Sequence, residues 1–368
     1  MRGGAGIFAD RVPLAAADRA LAESGAQGFE QVLEGPAARL PLLTGGSMPS
    51  PVPGVAPSVY TMRPGAWQPA SRQGSIGVER LLTADLTVSA NYLFVRGVDL
   101  AQTVNINLPP PVVLTAGNAA ALGFPAPTPQ QIGRIAFGPQ RLDPAYDGIF
   151  QLQPTASSTY HGVSLTLNRR LAHEIEWATS YTWSHATDTA SDFDEQPQNP
   201  YALNAELAAS AYDQRQRLVT SALFDLPIGD EEDRKPGTTP SAWIRAFSHI
   251  EVATILTLGS GQPVTAVTGV DDAHAEGTLV STLPLGVGRH SLRLPPSATL
   301  DVRVLKSVIL KPHGKLDLVV EAFNLLNRRS VTVLNPVFGS SLVPLATFGT
   351  PLDAANARHL QFSIDFEF

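Results

Sequence analysis

The chain ends on a strict alternation. From Leu360 every second residue is apolar (Leu360, Phe362, Ile364, Phe366, Phe368), and the residues between them are Gln361, Ser363, Asp365 and Glu367. Side chains alternate across a strand with period two, so this stretch predicts a strand with one greasy face and one polar face. The edge of a soluble sandwich and a membrane-crossing strand both have this form. In the second case the apolar face meets lipid, the polar face meets a wet lumen, and about 9–11 residues make one crossing.

The same period recurs upstream in pairs. Arg72–Leu82 alternates through Ile76 and Val78 and is followed by a tight Thr83-Ala84-Asp85 turn. Leu86–Val95 then alternates through Leu86, Val88, Ala90, Tyr92 and Phe94. Val163, Leu165 and Leu167 share a face, Leu171–Glu174 read as a turn, and Ile175, Trp177, Tyr181 and Trp183 share the returning face. Ile175 to Trp183 is ~27 Å along a strand. A tilt of about 40° makes that ~20 Å of height, near the ~25 Å apolar band of a membrane barrel. Arg215–Leu226 and Trp243–Leu258 predict two more strands around a connection at Pro227–Ala242. Leu300–Ile309 and Lys315–Phe323 pair across Lys311-Pro-His-Gly314, and Gly3–Ala9 reads as a strand end. Ala15–Leu33 has room for a short helix.

About ten strands result, and their connections alternate long and short. The long ones cover residues 11–70, 99–157, 186–213, 259–296 and 327–357. Outer-membrane barrels place short turns on the periplasmic side and long loops outside. A compact soluble domain has no reason to alternate this way, and loops of this length are uncommon in one. The pattern therefore predicts an all-β fold, an antiparallel transmembrane β-barrel wall of about ten strands, with residues 1–368 as one unit.

Composition agrees. Charged residues make up 16%, below the roughly 25% of soluble domains, while mean hydropathy is only +0.03. Strands that average a lipid face with a polar face give this combination. There is no apolar run long enough for a transmembrane helix. The absence of cysteine excludes disulfide scaffolds, thiolate metal sites and cysteine nucleophiles. A net charge of −7 without a basic cluster argues against nucleic acid as a partner. Met1–Asp10 has no apolar signal core. An exported barrel with this N-terminus is expected to be part of a longer chain.

Several stretches, in order, are similar to the C-terminal part of TonB-dependent receptor barrels of the Oar-like kind, which carry a carboxypeptidase-regulatory-like domain. They are Arg2–Arg11, Gly77–Arg80, Ser158–Leu165, Ala178–Ser184, Tyr212–Arg217, Leu258–Pro263, Glu321–Asn327 and the Phe-terminated last strand. The resemblance implies a 22-stranded barrel with a plug domain inside it and an N-terminal box that recruits TonB. The plug and N-terminal region have no counterpart here, so TonB is an implied partner only of a full-length parent. It also implies an assembly signal on Phe362, Ile364, Phe366 and Phe368, read by the barrel-assembly machinery. Outer-membrane lipid is the remaining expected partner, and the ligand is unknown.

The candidate site residues are charges on the polar faces. Asp213, Arg215 and Arg217 stand at i, i+2 and i+4, a spacing that places them on one strand face. Glu251, Asp301, Arg303, Asp317 and Glu321 fall on the equivalent faces of neighbouring strands. They read as lumen-facing charges that contact a plug or ligand, or that pair with one another. The segment 186–213 holds Asp188, Asp192, Asp194, Glu195, Glu206 and Asp213 and no Lys or Arg. It reads as a solvated acidic loop or a weak divalent-cation site. Asp271-Asp272-Ala-His274-Ala-Glu276 reads as a polar loop tip, since one His among acids falls short of a zinc ligand set. No catalytic constellation and no cofactor motif emerges. A receptor or transporter barrel is the expected function. A self-contained ten-stranded pore or adhesin-like surface protein is the alternative, and contact between Gly3–Ala9 and Gln361–Phe368 distinguishes it. A soluble all-β enzyme is disfavoured.

Overall fold

The computed structural model describes residues 1–31, 52–65, 67–172, 174–226, 228, 241–275, 282–310 and 314–368. Ten strands form one wall: β1 (Arg2–Ala9), β2 (Ala70–Leu81), β3 (Leu86–Asn105), β4 (Ile149–Ala172), β5 (Ile175–Asp188), β6 (Gln216–Asp225), β7 (Ile250–Gly259), β8 (Ser297–Ile309), β9 (Lys315–Phe323) and β10 (His359–Glu367). Each is antiparallel to the next, and order in the sheet is order in the chain. Val59–Met62 adds a short parallel strand beside β4, and Ala208–Ala209 pairs with the end of β5. Among the described residues β1 and β10 have one neighbour each, so the sheet is open.

Register carries the alternation across the whole wall. Ile76 faces Tyr92 and Tyr92 faces Val163; Leu165 faces Tyr181, which faces Leu218. The row continues through Leu258. On the far side Val252 faces Val304, Val304 faces Val320, and Val320 faces Phe362. One face is therefore apolar from β2 to β10, and it contains Val88, Ile175, Val302 and Ile364 as the pattern predicts. Phe362 and Ile364 on this face are 71% and 70% exposed, a cost in water that disappears in a hydrocarbon solvent. The other face carries Ser89, Asn91, Ser164, Thr166, Ser180 and Thr182, with Leu93, Leu223, Ile255 and Leu305 interspersed.

The short turns close tightly. The Leu82 N–H donates to the Leu86 carbonyl at 2.8 Å, and Thr83 Oγ1 donates to Asp85 at 2.6 Å. β4 and β5 are joined around Glu174, which takes the left-handed conformation (φ 65°). The Leu310 N–H donates to the Gly314 carbonyl at 2.8 Å. Lys311–His313 of that predicted turn, most of the Pro227–Ala242 connection and Glu276 lie outside the described residues.

Two of the expected strand bounds need correction. β3 and β4 run on to Asn105 and start from Ile149, well inside the stretch read as a 99–157 loop. Twenty-four residues of β4 reach ~75 Å, far more than a bilayer needs. Its outer half stands clear of the apolar band. Alternation vanishes there because Gln102, Thr103, Val104 and Asn105 are all buried in succession, covered on both sides. Second, the strand read from Trp243 begins only at Ile250. Ala242–Phe247 is a short helix, and His249 breaks it from β7 with a φ of 51°. The short helix for which Ala15–Leu33 has room forms at Leu14–Ala22.

The long connections pack into a second layer at one end of the wall. Leu108, Phe137, Ala273 and Ala275 form one small core, and Leu114, Ala119, Phe124 and Ala136 form another. His274 stacks on Phe124 with centroids 3.8 Å apart. The Asp271 carboxylate accepts from the Ala273 and Ala275 N–H groups, and Asp272 is buried, accepting from Gln131 at 3.0 Å. The stretch read as a polar loop tip is thus interior. Burial holds the His274 pKa below its ordinary value, against the opposing charge of Asp271.

Candidate functional site

The described charges concentrate where the outer connections converge over β5 and β6. Asp213 is 1% exposed. Its carboxylate accepts from Arg215 at 2.6 Å, Arg293 at 2.6 Å, the Ala186 N–H at 2.8 Å and His185 Nδ1 at 3.3 Å. Burial alone would raise its pKa, but the Ala186 N–H and the two guanidinium groups outweigh that and lower it to about 2. Beside it Arg289 is buried against Asp188, grips Glu195 at 3.1 Å and donates to the Glu206 carbonyl at 3.1 Å. Glu206 is buried too. Desolvation raises its pKa even though its carboxylate accepts the Gln198 N–H at 2.8 Å. Further along, Arg19 lies over the Tyr60 ring at 3.8 Å and pairs with Asp194 and Glu23 at 3.2 Å each.

The acidic segment is therefore neither a solvated loop nor a cation site. Asp188, Glu206 and Asp213 are buried, Asp194 and Glu195 are half-buried and Asp192 is exposed. Arg289, Arg293 and Arg19 from remote connections pair with Asp188, Glu195, Asp213 and Asp194. Among the described residues no group of three or more His, Asp or Glu is placed to hold a metal ion. Arg289 and Arg293 were the missed residues, and a signal for them existed. Residues 186–213 hold six acids and no cation, while Arg289 and Arg293 are the only cations of 259–296.

The predicted polar-face charges separate into two groups. Asp213 and Arg215 precede β6 and belong to the loop cluster, because the chain kinks through Asp213 N–H to Ser210 and Gln214 N–H to Tyr212. The expected single face of three charges is thus broken. Only Arg217 is in the strand, level with Thr182 and Gly259. Glu251, Asp301, Arg303, Asp317 and Glu321 are all on the polar face. Arg303 stands directly opposite Glu321, 3.9 Å apart. Asp317 accepts from Ser307 at 2.6 Å and from Lys315 at 2.8 Å, and Asp301 accepts the Asn324 N–H at 2.7 Å. Glu251 lines an open recess of about 530 Å³ with Asp225, His249 and Lys315 at the short-turn end.

These charges sit on an open, in-order antiparallel wall with one continuous apolar face. The family model described as "Outer membrane beta barrel domain" matches residues 1–285, which takes in β1 to β7. The chain belongs to this family. It is accordingly an outer-membrane protein, with the apolar face to lipid and the long loops outside. Among solved structures, the outer membrane transporter YddB from Escherichia coli superposes with a TM-score of 0.47 at 11% identity, over 85% of this chain and 34% of its own. The ferripyoverdine receptor of Pseudomonas aeruginosa gives 0.42 at 11% identity, over 82% and 27%. The FrpB iron transporter from Neisseria meningitidis gives 0.42 at 11%, over 84% and 33%. The chain thus spans between about a quarter and a third of these proteins. No curated protein matches it in sequence.

Proposed function

We propose that the chain is the C-terminal ten-stranded wall of a larger, 22-stranded receptor of the TonB-dependent, Oar-like kind, and that its packed outer loops capture a ligand for uptake. The open sheet carries this reading. β1 and β10 each leave an edge of N–H and C=O groups unpaired, which hydrocarbon does not tolerate, so further strands must complete the wall. A plug fits the polar face, where Arg217, Glu251, Asp301, Arg303, Asp317 and Glu321 would meet it among Leu93 and Ile255. The terminal Phe362, Ile364, Phe366 and Phe368 would be read by the assembly machinery. TonB would act only through the parent's N-terminal box. The chain has no role as an enzyme in this reading, and the self-contained ten-stranded pore is disfavoured by the same open edges.

The genomic DNA upstream of Met1 tests the proposal. An in-frame signal peptide, plug-forming domain and TonB-contacting box are expected. A stop codon there, together with stable single-channel currents from the isolated chain, would overturn it in favour of the pore.

A further inference from the structure

The lipid-facing side of the wall changes chemistry at both rims. Along β2 it reads Arg72, Gly74, Ile76, Val78, Arg80, and along β3 it runs from Leu86 through Val88, Ala90, Tyr92 and Phe94 to Arg96. Register sets Arg80 beside Val88 and Leu167 at the short-turn end. At the loop end it sets Arg72, Arg96, Thr159 and Thr187 in one lateral row across four strands. From Arg80 to Arg72 is ~26 Å along the strand, or ~20 Å of height at a tilt of about 40°, close to the apolar band of a barrel. Phe94 lies two residues below Arg96 on the same face, as girdle aromatics do. The row therefore stands where hydrocarbon gives way to the outer headgroups.

Arg72 and Arg96 are direct cross-strand partners. Like charges placed opposite each other destabilise a sheet unless something neutralises them. At the opposite rim Arg169 has its carboxylate, Asp85, at 2.8 Å. The upper pair has none among the described residues. Both arginines are exposed, and Arg96 donates only to Thr159 Oγ1 at 3.2 Å. Next to Arg96 opens a recess of about 250 Å³ lined with hydroxyls and an amide, from Ser157, Ser158, Thr159, Thr187, Thr189 and Asn204.

We propose that the Arg72–Arg96 pair and this recess bind the phosphorylated sugar headgroup of an outer-leaflet glycolipid. Two guanidinium forks bridge a phosphate in the geometry they favour for it. The hydroxyl-lined recess takes the adjoining sugar, and the apolar band below takes the acyl chains. The bound phosphate relieves the repulsion the register imposes. The site is independent of what the loops capture.

Native mass spectrometry of the detergent-purified chain, titrated with bisphosphorylated lipid A and with its dephosphorylated form, tests the proposal. The phosphorylated lipid is expected to bind about tenfold or more tightly, an effect typical of charge-assisted contacts. Arg72→Gln with Arg96→Gln should erase that preference, and Arg96→Gln alone should weaken it. Arg80→Gln at the other rim should leave it intact, and millimolar inorganic phosphate should not displace the lipid. Equal binding of the two lipids by the wild-type chain would overturn the proposal without any variant. So would an equal loss in Arg80→Gln, which would mean diffuse charge attraction, or displacement by inorganic phosphate, which would mean a free-anion site.

Discussion

Asp213 is the residue at which the outer loops depend most on a single proton. Two arginines, a histidine and a backbone N–H converge on one buried carboxylate. Its pKa of about 2 lies below the ordinary 3.8, so the unfolded chain takes up the proton more readily than the folded one. The stability it contributes is full above about pH 4 and is lost as the pH falls toward 2. Asp213→Asn keeps the shape and removes the charge from between Arg215 and Arg293. Hydrogen bonds to charged groups are worth about 1.5–3 kcal/mol, so local opening should rise roughly ten- to a hundredfold. Hydrogen exchange at the Ala186 amide measures this. Unchanged protection at neutral pH would mean the arginines hold the loops without it. The acid content of this segment was legible in the sequence, whereas its remote partners showed only as the two cations of 259–296. Arg293 is eighty residues away, and no local period points to it.

At the scale of the strand, the two-residue period translates directly into solvent. Leu165 is near the middle of its crossing, between Arg169 and Thr159 on the same face, with Ala90 and Tyr181 as neighbours. Ser180 is one strand over and points the other way, opposite Thr166 and Val219. Leu165→Arg should cost about 2–4 kcal/mol in a bilayer, whereas Ser180→Arg on the polar side should be mild. Urea-dependent unfolding in lipid vesicles reads the difference. Equal costs would contradict the two-face assignment. The strands inside the band were readable because lipid and lumen impose opposite chemistry on alternate residues. Beyond the band that rule lapses. The outer reach of β3 and β4 is covered by other connections, where Val104 and Phe150 are buried next to Gln102 and Asn105. The helix Ala242–Phe247 was hidden for the converse reason. Its Trp243 and Phe247 are exposed at 62% and 54%, so no buried face marks a helical period, and a run this short reads as strand or helix alike.

At the scale of the whole molecule, the open edges decide how the chain can live in a membrane. Alternate peptide groups of β1 and β10 point away from their single neighbours, and each unsatisfied group in hydrocarbon costs several kcal/mol. A handful of them exceeds the ~5–15 kcal/mol by which a typical protein is stable. The chain must therefore close on itself, pair with other strands or stay out of the bilayer. The absence of native cysteine makes the choice measurable. Ala5→Cys on the lipid-facing side of β1 can be combined in turn with Leu360→Cys, Phe362→Cys and Ile364→Cys on β10. This set samples the registers that closure would adopt. A disulfide needs Cβ atoms about 3.5–4.5 Å apart, so only a directly paired β1 and β10 can form one within a chain. Oxidation of the isolated chain in lipid vesicles should give no intramolecular bridge in any of the three variants. A bridge in any one of them would show that ten strands close without a parent and would make the small pore the correct description.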